Sequence, residues 1–224
     1  MRLYFADDLL AESYAQQTDD LKRYRSKLKK PDRFLITRQY DAQKYTILHN
    51  ANIDDKEINM YDFFQHATFL KKKDLHVRLS DTFNLRNFKI KGIDNNRSEL
   101  YQDNHKIANI QIAPSTVQLI GDVTFVNNAD IPVSRDIYDR RGFKSSTQYF
   151  DVDGNLGHQI IYNINGLPVI EIIVMHRDNK IQTTGIKLLN YQGADYLFRN
   201  EDDLWSFFKD ELKQTDISKL QEGK

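Results

Sequence analysis

The chain has 224 residues, 40% of them hydrophobic, which is enough for one large or two modest cores and excludes a disordered tail. Its 32 Lys and Arg balance its 32 Asp and Glu, so no global field recruits nucleic acid or an anionic membrane, and polyanion binding requires a local patch. Cysteine is absent, which removes disulfides, thiolate catalysis and cysteine metal sites and fits a reducing cytoplasm.

Arg2 to Ala6 is a short apolar run that Asp7 and Asp8 interrupt before it reaches the length of a signal-peptide core. No segment approaches the length of a transmembrane helix, so a cytoplasmic chain is expected, with any membrane contact made peripherally through a partner. Leu10, Tyr14, Leu21, Tyr24 and Leu28, with Thr18 on the same stripe, fall at helical spacing. Pro31-Asp32 breaks that helix and Phe34 to Thr37 resumes as a buried strand. Strand, helix and strand in about forty residues make a βαβ unit, the opening of a parallel layer. A second helix is expected over Asp54 to Gln65, with Asp54 as its cap and Glu57 as the capping-box carboxylate. Residues 71–104 read as a polar, loop-rich bridge with one strand near Phe88 to Ile93. Lys106 to Ile112 and Thr116 to Val126 then read as strands.

From there a turn signal recurs every twelve residues: Val126-Asn-Asn-Ala-Asp130, Tyr138-Asp-Arg-Arg-Gly142, Phe150-Asp-Val-Asp-Gly154, Tyr162-Asn-Ile-Asn-Gly166 and, more loosely, Val174-Met-His-Arg-Asp178. Asp or Asn folds its side chain onto the backbone two residues on, and Gly accepts the positive φ that closes such a turn. A period of twelve leaves about eight residues per strand, which is hairpin spacing and too short for a helical repeat. Lys180 to Leu189, a turn at Asn190 to Gly193 and a last strand from Ala194 to Arg199 continue the meander. Lys144 to Phe150 is largely polar, whereas Asn155 to Tyr162 and Leu167 to Val174 carry apolar residues on both faces. Glu201 to Leu212 reads as a closing helix with acids in its first turn, where the helix dipole favours them.

The expected fold class is therefore α+β, a large antiparallel meander of about seven or more strands inserted into a small, incomplete Rossmann-like α/β unit. The boundaries read as 1–70 with 200–224 for the α/β unit and 71–199 for the meander. A broad sheet of this kind has a solvent face and two edges, so it invites a partner.

Signals for catalysis are sparse. The six histidines, His49, His66, His76, His105, His158 and His176, form no metal-binding spacing and read as surface or packing residues. Asp151, Asp153 and Asn155 mimic the start of a calcium loop, but the sixth and twelfth positions hold Leu156 and Tyr162 instead of Gly and Glu. Because Asp139 and Asn163 repeat Asp151 in register, the turn reading is favoured. No nucleophile elbow and no phosphate-cradling glycine loop occurs, and no metal or cofactor is expected.

Cations cluster twice. Lys22 to Lys30 carries six in nine residues, and a solvated helix end is favoured there over a polyanion site. Arg135, Arg140, Arg141 and Lys144 surround the most polar turn beside Tyr138, Phe143 and Tyr149. Arginine beside aromatic rings suits sugars and phosphates and equally suits a protein interface, and the need to cover a flat sheet favours the interface. These seven residues are the candidate binding site, with their exposed turn charges expected to contribute little to stability.

The run Tyr138 to Gly154, followed by Tyr162-Asn-Ile-Asn-Gly-Leu-Pro-Val-Ile-Glu171, resembles the β-meander domain inserted into a group of bacterial retaining GT-B glycosyltransferases. These are the enzymes that glucosylate poly(glycerol phosphate) or related wall teichoic acids, and the pair that glycosylates serine-rich repeat adhesins of the accessory Sec system. The flanks Ile36 to Tyr40, Asn59 to Phe64 and Leu204 to Leu212 look like the family's segments on either side of the insertion, so the resemblance covers most of the chain. Two departures stand out. Residues 10–17 lack the glycine that family catalysts usually carry after the first strand, and the second Rossmann domain, with its Glu-x7-Glu donor motif, would begin where Lys224 ends the sequence. The resemblance implies an acceptor-binding and oligomerisation module that is catalytically inactive alone. Its expected partners are a glycosyltransferase subunit or a second copy of itself, together with a polymeric or protein acceptor. The alternatives are a fragment of a retaining GT-B glycosyltransferase that contributes acceptor binding, a non-catalytic partner subunit that stabilises such an enzyme, and an unrelated carbohydrate-binding module.

Overall fold

The structure is a computed structural model that describes residues 2–6, 14–70, 82–83, 87–113, 116, 119–177, 180–217 and 220. The chain divides into two compact units, residues 1–71 with 201–224 and residues 72–200.

In the first unit β1 (Arg2–Ala6), α1 (Tyr14–Lys27) and β2 (Arg33–Thr37) form the expected βαβ unit, with β1 and β2 parallel and β3 (Glu57–Asn59) parallel on the far side of β2. Leu21 and Leu28 of the predicted stripe pack with Leu35, Leu48 and Ile53, and Tyr24 lies against them, while Leu10 falls outside the described residues. The closing helix α4 (Glu201–Gln214) buries Leu204, Trp205, Phe208 and Leu212, and its first turn holds Glu201, Asp202 and Asp203 as expected.

The segment after β2 corrects the sequence reading. Residues 44–50 form a helix, α2 (Lys44–Asn50), and the expected helix over 54–65 is instead β3 followed by the short α3 (Met60–Phe64). Asn59 caps α3 by accepting from the amides of Tyr61 and Asp62, and Asp54 contacts His49 instead of capping. Glu57 is not a capping-box residue, because its backbone pairs with β2 and its carboxylate is buried under Lys44. The Lys44 ammonium lies 3.1 Å from Glu57 and 2.8 Å from Asp62, and the Thr37 hydroxyl donates to Glu57. Burial pushes the Glu57 carboxyl above its ordinary range against the pull of Lys44. One buried cation between two buried acids explains why this polar stretch is strand and core.

The second unit is one ten-stranded antiparallel sheet in sequence order. Its strands are β4 (Lys89–Gly92), β5 (Arg97–Gln102), β6 (His105–Ile112), β7 (Ile120–Val126), β8 (Pro132–Asp139), β9 (Phe143–Phe150), β10 (Leu156–Tyr162), β11 (Pro168–Arg177), β12 (Lys180–Tyr191) and β13 (Ala194–Phe198). Strand β5 was not foreseen, because Leu100 is its one fully buried apolar side chain and its turn uses Asp103 and Asn104 at positive φ without a glycine.

Four of the five repeated turns share one geometry. At Asn127, Asp139, Asp151 and Asn163 the side-chain oxygen accepts the amide two residues on, at 2.7–2.9 Å. The carbonyl of the same residue accepts the amide of Asp130, Gly142, Gly154 or Gly166, each of which has positive φ. At the fifth, β11 runs through to Arg177, since position 175 is Met and offers no oxygen to bend the chain; Asp178 lies outside the described residues.

Cross-strand register shows that the buried face changes along the sheet. Leu100, Ala108, Ile110 and Val123 share one face and pack with Tyr138, Phe83 and Phe88. Beyond β9 that same face opens to solvent, and Ile161, Ile170, Ile186 and Leu188 on the opposite face are buried. At the crossover Ser145, Ser146 and Thr147 of β9 are all buried, so this strand is polar and central instead of polar and exposed.

Candidate functional site

Around β9, the face that opens to solvent carries a connected group of polar and aromatic side chains. Asp136 sits opposite Thr147, whose hydroxyl donates to it at 2.6 Å, and the Lys144 ammonium lies 3.3 Å from the same carboxylate. Lys144 also stands 4.9 Å over the ring of Tyr162, whose hydroxyl donates to Thr147 at 3.3 Å. Tyr149 stacks on His158 at 5.8 Å, and partial burial together with the neighbouring Tyr162 hydroxyl raises its phenol. Tyr138 is buried on this face beneath the group, and burial with the nearby Asp136 pushes its phenol up to about 12.

The seven sequence-predicted residues do not form one surface. Tyr138, Lys144 and Tyr149 share the face just described. Arg135 points to the other face, where it pairs with Asp122 at 2.8 Å. Arg140, Arg141 and Phe143 belong to the turn end. There Arg141 is buried and not exposed as expected, because it holds Asp139 through two side-chain bonds of 2.8 and 2.7 Å while its own amide donates to the same carboxylate. Its guanidinium lies 5.7 Å from the Phe143 ring, and burial lowers the pKa of Arg140. Cations that looked available for an anionic ligand thus face acids of their own sheet, and what the open face offers is mainly aromatic and apolar.

Two cross-strand rows extend this surface over β10 to β13. Tyr149, His158, Ile173 and Gly185 form one row, and Thr147, Ile160, Glu171, Lys187 and Leu197 form the next. Ile173, Met175 and Leu197 are 51%, 59% and 80% exposed, and a side chain added at Gly185 would meet nothing within 4 Å. The sequence reading missed Asp136, Thr147, His158 and Tyr162. Gly157 was the available signal: a glycine inside a strand marks a bulge, and the register shift there sets His158, instead of Gly157, opposite Tyr149.

Fold and site together define an incomplete parallel α/β unit interrupted by an antiparallel meander with an open, partly apolar face. The family model for the GtfB middle domain matches residues 88–199, half of the chain, and the chain belongs to this family. The family resemblance read from the sequence is thereby borne out. No curated protein sequence matches the chain. Among solved structures it is similar to the pneumococcal O-GlcNAc transferase GtfA in complex with UDP and GlcNAc, at 15% identity and TM-score 0.74 over 95% of this chain and 41% of that one. It is also similar to accessory secretory protein 1, 2 and 3 of Streptococcus pneumoniae, at 16% identity and TM-score 0.68 over 90% of this chain and 39% of that one. A third likeness is to TarM, at 14% identity and TM-score 0.62 over 94% of this chain and 42% of that one. At such identities the likeness is one of fold. The chain spans 39–42% of the length of these three solved chains. No helix among the described residues is long and apolar enough to cross a membrane.

Proposed function

We propose that this chain is the acceptor-binding and assembly part of a bacterial glycosyltransferase system, with nucleotide-sugar chemistry supplied outside residues 1–224. The observation that carries the proposal is the open face over β9 to β13, where Tyr149, Ile173, Met175 and Leu197 stand exposed while Ile161, Ile170, Ile186 and Leu188 on the opposite face of the sheet are buried. Apolar and aromatic side chains interspersed with the charged pair Glu171 and Lys187, which lies between Ile160 and Leu197 in one row, have the mixed composition of a protein interface. A GtfA/B complex among the fold relatives supports a glycosyltransferase as the partner, and a second copy of this chain is the other candidate the open face would accept. Lys144 with Tyr149 and the neighbouring Tyr162 is the place on this face where a sugar ring could stack beside a cation, which supports acceptor contact next to assembly. Teichoic acid and serine-rich adhesin are the two proposed acceptor classes.

Light scattering tests this on the chain alone across concentrations and mixed with a GtfA-type glycosyltransferase. Concentration-dependent mass or a stoichiometric complex, lost in the Ile173→Asp/Leu197→Asp double variant, is expected. A monomer that forms no complex with the transferase would defeat the assembly role and leave acceptor binding to be tested by titration with glycerol phosphate polymer.

A further inference from the structure

The six cations of Lys22 to Lys30 are joined in space by others that the sequence keeps apart. Because β1 and β2 are parallel, their amino ends meet at one edge, and Arg2 lies in register with Arg33. Arg33 donates to the Lys27 carbonyl at 2.8 Å, and Lys56, just before β3, donates to the Pro31 carbonyl at 3.2 Å. Arg2 and Lys27 lie 5.3 and 5.9 Å from the ring of Tyr4, and Lys27 lies 5.3 Å from that of Tyr24. The carboxyl end of α1, the loop to β2 and the amino ends of the three strands thus make one positive surface.

Elsewhere this neutral chain matches many of its cations to acids, as Lys44, Arg135, Arg141 and Lys187 show. Here residues 22–33 hold seven cations and one acid, Asp32. Among the described residues Arg23, Arg25, Lys29 and Lys30 form no ion pair and are exposed. The helix dipole supplies only about half a negative charge at this end, far less than the cations present. A solvated helix end therefore does not explain the surface.

We infer that this edge binds an anionic lipid bilayer directly. Its cations are spread over a helix end, a loop and three strand ends, which suits laterally mobile head groups that gather beneath each charge. Tyr4 and Tyr24 stand among them, with the amphipathic rings that favour the membrane–water boundary. The inference is independent of the assembly role of the meander.

Co-sedimentation of the full chain with phosphatidylcholine vesicles, and with vesicles mixing phosphatidylcholine and phosphatidylglycerol, tests it. Binding to the anionic vesicles alone is expected, and raised salt should weaken it. The Arg23→Gln/Arg25→Gln/Lys29→Gln/Lys30→Gln variant should lose about 100-fold or more in partitioning, at about five-fold per charge, with an unchanged melting curve. Absence of binding to the anionic vesicles, or unchanged binding by the variant, would overturn the inference. Retention on immobilised polyphosphate without vesicle binding would overturn it too, and would assign the edge to a soluble polyanion.

Discussion

Replacing Arg141 with Ala should unfold the meander far more readily than its place in a turn suggests. The Arg141 and Asp139 side chains are 4% and 2% exposed, and the guanidinium meets the carboxylate through paired bonds of 2.8 and 2.7 Å. Removing the cation leaves a buried carboxylate with its main compensation gone, a loss of about 3–5 kcal/mol for breaking one side of a buried pair. With a urea dependence of about 2–3 kcal/mol per molar, the midpoint should fall by about 1–2.5 M, read by far-ultraviolet circular dichroism. The double variant Asp139→Asn/Arg141→Met removes both charges. It also keeps the turn, since Asn makes the same amide contact at Asn127 and Asn163. It should recover most of the loss. An Arg141→Ala protein within about 0.5 kcal/mol of the parent, the range of ordinary surface substitutions, would refute the reasoning.

Lys44→Met should cost about 3–5 kcal/mol in chemical denaturation, because Glu57 and Asp62 are left buried together. Burial already raises the Glu57 carboxyl, so the folded state binds its proton more tightly than the unfolded chain; the loss should be smaller at mildly acidic than at neutral pH. The Tyr138 phenol, pushed up to about 12, gives the opposite end of the pH scale. Its contribution is full below the ordinary tyrosine range and is lost as pH rises through the folded value. Wild type should therefore lose about 1–2 kcal/mol across that window after allowance for solvent screening, and Tyr138→Phe should flatten the fall. Gly166→Ala should cost about 1 kcal/mol in thermal melting and Gly166→Asn less, because the space around the residue is empty and only its positive φ of 80° resists a side chain.

The local rules were legible where one residue carries them. Asn127, Asp139, Asp151 and Asn163 each bend the chain by their own side-chain oxygen, so their turns could be read directly, and the absence of such an oxygen at Met175 marks where the repeat fails. The βαβ opening was legible from the stripe of Leu21, Tyr24 and Leu28. What the sequence hid depends on distant partners. Glu57 resembled a capping residue because its partner Lys44 lies thirteen positions away in a helix that has no clear start signal. Arg141 looked exposed because its burial follows from how the hairpin packs. Register decides which face each side chain takes, and the bulges near Gly157 and Ile137 shift it by a residue. That is why Arg135 and Tyr149, both in the predicted set, stand on opposite faces of the sheet.

Hydroxyl-radical footprinting of Tyr149, Met175 and Leu197, in the dilute chain and in its mixture with a GtfA-type glycosyltransferase, reaches the proposed interface itself. Protection of these three side chains, with Val152 at its exposed turn still oxidised, is the result that assembly through the open face predicts. Equal oxidation of all four in dilute and mixed samples, at concentrations where light scattering shows a complex, would place the contact elsewhere and contradict it.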